Sequence, residues 1–358
     1  MASPICGRLL DLDLLHFTPD EVRSLNELVV TAVLKAPALS LFSDLVTGIK
    51  NDRRIGIIPG TFGLLGKAAQ SCDPVADCLT DTAIEKTWEP RSIELILDEC
   101  IDDLGDTMQK LATKNGIEIY DLTKTEIFTF MVNILSQDIQ NMIFRYAWFG
   151  DKDAANFPAG LITPGVNTEY FDVIDGFWNQ LYTILAADAN RVTAMTGNGQ
   201  ATTALQFTDQ TPALTYAEVN AVIDAAIPEL SMQPDRILLV THSVAQRLHR
   251  HLQALGVAYD ISLATEGLEI SKWDGITMYA LPLWDQYIRA YENNGTTLNY
   301  PHRVLYTSKT NLKIGIEGTS LFDRINTFYD PRSRYNRIEA RDAMDAKIID
   351  DRLVQIGL

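Results

Sequence analysis

TKTEIFTFMVNILSQDIQNMIFRYAWFGD, residues 123–151, is the stretch on which the reading of the fold turns. Thr123 is a good N-cap, and Glu126 three residues later completes a capping box. Ile127, Phe130, Met131, Ile134, Leu135, Asp138, Met142 and Tyr146 follow one broad face, with Phe128, Ile139 and Ile143 beside it. That spacing predicts a helix with one side in a core. Roughly 25 residues at 1.5 Å each make a rod roughly 37 Å long. Trp148-Phe149-Gly150-Asp151 closes it.

Upstream, Thr18-Pro19-Asp20-Glu21 opens another helix by the same capping logic, and Pro37 ends it. A shorter helix is predicted over 39–49, then a strand over 53–58. Pro59-Gly60 breaks that strand, and about 25 irregular residues follow, a length that inside compact domains usually has a job. A second extended run, 87–97, places Ile93, Leu95 and Leu97 on one face by period two. Together these predict a long hairpin with an elaborate tip. A helix over 102–114 stops at Asn115-Gly116.

Downstream the pattern is mixed. Helices are predicted at 171–187 and 216–227, the second opened by the box Thr215-Tyr216-Ala217-Glu218. The buried strand Ile237-Leu238-Leu239-Val240 leads into a helix at 243–255. Strands are predicted at 276–280, 302–307 and 313–316, and the tail from Ile325 reads as long strands. No repeat of fixed period is present.

The chain has 358 residues, enough for two or three lobes or one large domain with an appendage. Its hydrophobic content of 46% supports a substantial core. The formal net charge of −17 argues against a general electrostatic grip on nucleic acid or on anionic membranes. It favours solubility. No secretory signal or membrane span is legible. The chain begins at Met1, and no large N-terminal piece is expected to be removed. Cys6, Cys72, Cys78 and Cys100 are too few and too unevenly spaced for a disulfide framework, although Cys72 and Cys78 share one loop.

Several motifs invite chemistry and fall short of it. GTFGLLGK, residues 60–67, has five residues between Gly60 and Gly66, and Ala68 where a phosphate-binding loop needs a hydroxyl. Thr196-Gly197-Asn198-Gly199 lacks the apolar strand that would lead into a dinucleotide loop. His242, His249 and His251 lack the spacing of a zinc site. Thr241-His242-Ser243 sits between a strand and a helix, as a hydrolase nucleophile would, but the flanking glycines are missing and a helix cap accounts for it better. An α/β hydrolase-like enzyme using Ser243 stays as the alternative from another class. Adjacent acids such as Asp102-Asp103 and Asp350-Asp351 point in different directions. Arg324, Arg332, Arg334, Arg337 and Arg341 form the one basic cluster. They either pair internally with Asp323, Asp330, Glu339 and Asp342 or meet a neighbouring subunit's carboxylates.

The order of these parts resembles the tailed-phage major capsid proteins, whose fold is named for phage Hong Kong 97. The closing segment Tyr335-Asn336-Arg337-Ile338-Glu339-Ala340-Arg341-Asp342-Ala343-Met344-Asp345 is similar to the end of such chains. The resemblance implies an α+β fold. It places an N-terminal arm at 1–50, an E-loop hairpin at 51–98 and a P-domain with the spine helix at 99–159. An A-domain follows at 160–299, and 300–358 return to the P-domain. It implies a major capsid protein that self-assembles into pentamers and hexamers of an icosahedral head. That head would enclose double-stranded DNA without sequence-specific binding and without a membrane. Separate scaffolding, portal and decoration proteins are implied as partners, with assembly in the host bacterial cytoplasm and residence in the virion. No catalytic residue, cofactor or metal is expected. An encapsulin-type nanocompartment shell is the alternative within the same fold. Phe62, Leu64, Leu65 and Trp88 are the hairpin residues expected to bury against a neighbour. Lys67 and Lys86 stand in the same hairpin among the assembly-interface candidates, as does the arginine cluster. No motif supports transferring to these lysines the Lys–Asn cross-linking known in some relatives.

Overall fold

The computed structural model describes residues 36–51, 53–57, 84–100, 126–257, 261–263, 268–318, 325–330, 332 and 335–358. The predicted helices over 18–36 and 102–114 and the hairpin tip lie outside them.

The first described elements are strands: β1 (Asp44–Thr47), β2 (Arg54–Ile57), β3 (Ile84–Thr87) and β4 (Arg91–Cys100). The predicted helix over 39–49 is not formed. A single 3-10 turn at Leu39–Leu41 precedes β1, whose residues alternate between half-buried and exposed. Val46 and Thr47 are β-branched and suit a pleated edge. Tertiary pairing settles the matter, because β1 runs parallel to β11 (Leu312–Ile316).

The rod at 123–151 forms as α1 (Glu126–Phe149), 24 residues long and therefore about 36 Å. Its last two turns are deeply buried: Phe144, Ala147 and Trp148 have no exposed surface. A Cβ on Gly150 would stand 2.4 Å from the Ile174 carbonyl oxygen and 2.7 Å from that of Tyr146. Only glycine permits that approach, so the helix ends pressed against the next segment.

Beyond α1 lies a seven-stranded sheet in the order β5-β14-β10-β6-β9-β8-β7. Its strands are β5 (Val192–Thr193), β6 (Arg236–Thr241), β7 (Ile261–Leu263), β8 (Glu269–Trp273), β9 (Ile276–Leu281), β10 (Val304–Ser308) and β14 (Val354–Gly357). The central strand β6 pairs parallel with β9 and antiparallel with β10. Its alternate residues face opposite ways, as strand geometry requires. Ile237 and Leu239 join the core shared with Phe144, Trp148, Trp178 and Trp284. Leu238 and Val240 join a second core with Val219, Val244 and Leu248.

Helices cover both faces: α2 (Phe177–Ala187), α3 (Thr203–Asp209), α4 (Pro212–Asp224), α5 (Pro228–Ser231), α6 (His242–Ala254) and α7 (Pro282–Tyr291). Two starts differ from the sequence reading. α2 begins at Phe177, after Gly176. α4 begins at Pro212, because Thr211 accepts a hydrogen bond from the Leu214 amide and Pro212 takes the first position. Thr215 and Glu218 are thus interior residues of α4, and both are buried.

The second sheet runs β1-β11-β13-β12, with β12 (Ile325–Asp330) and β13 (Tyr335–Ile348), and β4 lies on the far edge of β13. β13 is therefore the backbone of this sheet. It pairs with β4 from Tyr335 to Met344 and with β11 from Met344 to Ile348.

Candidate assembly surfaces

β2 and β3 form the stem of the hairpin, with Arg54 opposite Thr87 and Ile57 opposite Ile84. Phe62, Leu64, Leu65 and Lys67 belong to the tip, outside the described residues. The stem's cross-strand ion pair, Arg54 to Glu85 at 3.0 Å, is well exposed and contributes little.

The base of the hairpin is a different environment. The Trp88 amide donates to the Arg53 carbonyl at 2.9 Å, and its side chain is 1% exposed. A Cβ on Gly315 would come within 2.7 Å of the Trp88 ring and 2.6 Å of Ile49. Trp88 is therefore a core residue of its own chain. This corrects the expectation that it buries against a neighbour: its apolar surface is already consumed at the root of the hairpin.

Around Trp88 a polar clamp joins segments far apart in sequence. Lys86 pairs with Asp351. The Glu89 amide donates to Asp345 Oδ2 at 2.8 Å. Lys152 Nζ donates to Glu89 Oε2 at 2.8 Å and lies 3.2 Å from Asp175 Oδ2. The hydrogen bond and charge of Lys152 hold the Glu89 carboxyl below its ordinary range. Burial works against the Asp175 carboxylate, but the Lys152 amide and ammonium outweigh it and its pKa is lowered. Burial pushes the carboxyls of Asp345 and Asp151 up, Asp345 against the pull of Lys347 and Asp151 with the charge of Asp175 added. The clamp borders an open cleft of about 580 Å³ lined by Lys86, Asp151, Asp153, Asp175, Asn179 and Asp351. Apart from Lys86, these residues were not legible as a site. The signal was present only in Gly150-Asp151-Lys152, the polar step just after an apolar helix.

The arginine cluster is partly in view. Arg341 Nε donates to Ser92 Oγ on β4 at 2.9 Å. The exposed Arg332 sits in a turn, its amide donating to Asp330 Oδ1 at 2.9 Å. Arg337 faces Asp98 in the β13–β4 register and is not without a partner. Arg324 and Arg334 lie outside the described residues.

Ser243 is 7% exposed, and its Oγ lies 3.0 Å from His302 Nδ1. The other His302 nitrogen faces the Gln206 carbonyl at 3.0 Å. Burial pushes the His302 imidazole down to about 4, so the ring is neutral. Asp285 does not complete a triad. Its two oxygens accept the backbone amides of His242 and Ser243 at 2.7 and 3.2 Å, capping α6. Burial raises the Asp285 pKa against those two bonds. The Ser–His contact thus lies inside the lobe, tied to backbone carbonyls. The Thr196-Gly197-Asn198-Gly199 turn is tied in too: Thr196 donates to Glu218 through its amide and hydroxyl at 2.9 and 2.6 Å, and Gln210 bridges at 2.7 Å to the Gly197 amide. His242 lies 3.6 Å from Glu269, and His251 packs on Tyr216. Among the described residues, no group of three His, Cys, Asp or Glu has metal-binding geometry, and no helix is long and apolar enough to cross a membrane.

The frame is a long helix locked at its C-terminal end, a hairpin rooted beside it and a return strand that fastens the hairpin. The particular fold is that of the tailed-phage major capsid proteins, the Hong Kong 97-like α+β fold. The satellite phage P4 procapsid including size determination (Sid) protein matches at 12% identity with a TM-score of 0.50, over 90% of this chain and 94% of that one. The capsid of the cyanophage P-SCSP1u matches at 12% identity and 0.50, over 97% and 93%. An encapsulin complex from Synechococcus elongatus aligns at 8% identity and 0.49, over 92% and 91%. No family model and no curated protein sequence matches the chain.

Proposed function

We propose that this chain is the major structural protein of an icosahedral phage head. In this reading copies associate head to tail into pentamers and hexamers, which tile a closed shell around double-stranded DNA. The observation that carries it is the nearly full-length fold match to a procapsid and a capsid shell. Physics supplies the reason for repetition. A hairpin rooted in the body leaves edges that one chain does not cover, and heterologous contacts that close generate rings. We assign 1–50 to the arm, 51–98 to the intersubunit hairpin, 99–159 to the spine region, 160–299 to the A-domain and 300–358 to the return. The tip residues Phe62, Leu64, Leu65 and Lys67 and the arginine cluster are the proposed contact surfaces, with Lys86 at the hairpin base. The net charge of −17 fits an inner wall that encloses DNA without gripping it. The chain acts by assembly, with separate scaffolding, portal and decoration proteins as partners, in the host cytoplasm and then in the virion.

Electron microscopy of the purified assembly tests this. Closed icosahedral shells carrying double-stranded DNA are the expected result. Shells filled with protein select the nanocompartment, and a small monodisperse oligomer overturns the shell reading.

A further inference from the structure

β6 and β9 run parallel, and a helix follows each, α6 after β6 and α7 after β9. Both helices therefore start at the same end of the sheet, where Asp285 of α7 caps α6. Phe207 of α3 meets both of them. The Arg247 guanidinium of α6 lies 5.6 Å from the centre of its ring, and that of Arg289 of α7 lies over the ring at 4.6 Å. Arg247 is committed within its own chain: it donates to the carbonyls of Gln210, Phe207 and Ser243 at 2.6, 2.7 and 2.9 Å. Arg289 is exposed, and so is Arg250, one turn beyond Arg247 on α6. Among the described residues, neither Arg250 nor Arg289 has a hydrogen-bond or ion-pair partner.

The three guanidiniums feel one another. Burial lowers the Arg247 pKa, the charges of Arg250 and Arg289 lower it further, and Asp285 alone acts the other way. Asp285 cannot neutralise the patch, because its two oxygens already accept the His242 and Ser243 amides. A cationic surface thus stands without a carboxylate of its own in a chain that carries 47 acidic residues against 30 basic ones.

We propose that Arg250 and Arg289 receive carboxylate side chains from a neighbouring copy of this chain. The inference rests on the shell reading, which brings copies together. Charge complementarity names the occupant: a second copy presents a surplus of carboxylates, and its arginine-bearing patch finds none at home. The geometry suits that ligand. A guanidinium held flat on an aromatic ring keeps its N–H edge free, and that edge matches the two oxygens of a carboxylate. Phe207 holds Arg289 by the cation–π contact, and Arg247 is tied down behind it by three carbonyls. Phosphate of enclosed DNA is the weaker fit. Two exposed guanidiniums neutralise few phosphates, and a chain of net charge −17 repels the rest of the strand.

The test uses the full chain with Arg250→Lys or Arg289→Lys, which keep the charge and supply an amine. Assembled particles are treated with a carbodiimide, which joins an amine to a carboxylate in contact with it as an amide, the carboxylate oxygen leaving on the urea. The expected result is a new dimer band on denaturing gels, absent from the unmodified chain, with peptide mapping placing one end of the link at residue 250 or 289 and the other on an Asp or Glu. Arg250→Glu with Arg289→Glu, both at positions already in water, is expected to leave subunit melting unchanged and to lower particle yield about tenfold or more. Links at 250 or 289 found in the monomer band alone, no link at all, or full yield from the double reversal overturn the contact while leaving the shell reading intact. Shells that form in full yield from the double reversal but hold less DNA assign the patch to phosphate instead. Failure of the unmodified chain to form any ordered assembly overturns both readings.

Discussion

Replacing Trp88 with Ala separates two meanings of one buried tryptophan. Trp88 is 1% exposed, and its neighbours cannot follow it into the space it leaves. Ile49 is fully buried, and Gly315 sits in β11 between β1 and β13, held by pairing on both edges. Large aromatic-to-Ala changes in cores cost about 3–5 kcal/mol, the more so where the site collapses poorly. A value near the top of that range is expected. Trp88→Phe keeps most of the contact and should cost about 1–2 kcal/mol. Urea unfolding of unassembled subunits reads both values, and amide exchange at Glu89 reports whether the hairpin root loosens with them. The reasoning is refuted if Trp88→Ala costs the lone subunit under about 1 kcal/mol and yet blocks assembly, because the ring would then be an anchor for a neighbour.

Lys152→Met keeps the aliphatic stem and removes the cation between Glu89 and Asp175. It should cost about 1–2 kcal/mol, with most of the loss assigned by double-variant cycles to the half-buried Asp175 and little to the exposed Glu89. Both carboxyls have lowered pKa values, so this contribution is complete above their ordinary values of 4.5 and 3.8 and is lost as pH falls through the lower folded values. A pH series of melting curves on the Lys152→Met variant should flatten in that acid range. Gly315→Ala should destabilise by about 1–3 kcal/mol through overpacking against Trp88 and Ile49, and Ile49→Val in the same chain should recover part of it on the same denaturation assay. His302 is held at about 4 against an ordinary 6.5, so the stability it confers is complete above pH 6.5 and falls between there and about 4, by up to about 3 kcal/mol. His302→Asn should remove that slope from the pH–stability profile. Ser243→Ala should cost about 1 kcal/mol and leave assembly unchanged, whereas loss of a hydrolytic activity on that change would revive the enzyme reading.

Where one residue pattern had one solution, the sequence was readable. α1 carries its period over six turns with a capping box at one end and Gly150 at the other, and it forms where expected. β6, a short apolar run between turns, could only be a buried strand. The 39–49 segment failed because four residues of β1 are too few to show a period, and pairing with β11 overrode helical spacing. Thr215 and Glu218 mimic a capping box, but Thr211-Pro212 is the stronger start, and the two residues were free to become a buried polar pair bridged by Gln210. The turn Trp273-Asp274-Gly275-Ile276 was legible and passed over. Asp274 and Gly275 both take positive φ, 48 and 74°, the two-residue hairpin that Asp-Gly favours. α7 also had its signals in Pro282, Asp285 and the stripe Leu283, Trp284, Tyr287 and Ile288. Beyond Lys86 and the polar step Gly150-Asp151-Lys152, the clamp was not legible, because its members come from five separate segments that only the tertiary fold brings together.

That distribution explains how the hairpin can hold a direction. A two-stranded stem is marginal alone, and here its described pairing spans four residues on each strand with an exposed ion pair. Direction must therefore be set at the root. There Trp88 fills the core, the Glu89 amide is fixed on the buried Asp345 of β13, and Lys152 ties the same residue to the end of α1. The next helix, α2, which follows the rod's close approach at Gly150, is joined to the return strand through Gln180, whose amide nitrogen donates to the Ala346 carbonyl at 2.7 Å and whose oxygen accepts the Ile348 amide at 3.0 Å. A force on the tip thus reaches a frame closed on three sides before it reaches any flexible joint among the described residues. Weakening one clamp member should tilt the hairpin without unfolding the lobe, whereas removing Trp88 should do both. The two phenotypes are distinct because polar ties set geometry at small energies, while the buried ring supplies most of the stability.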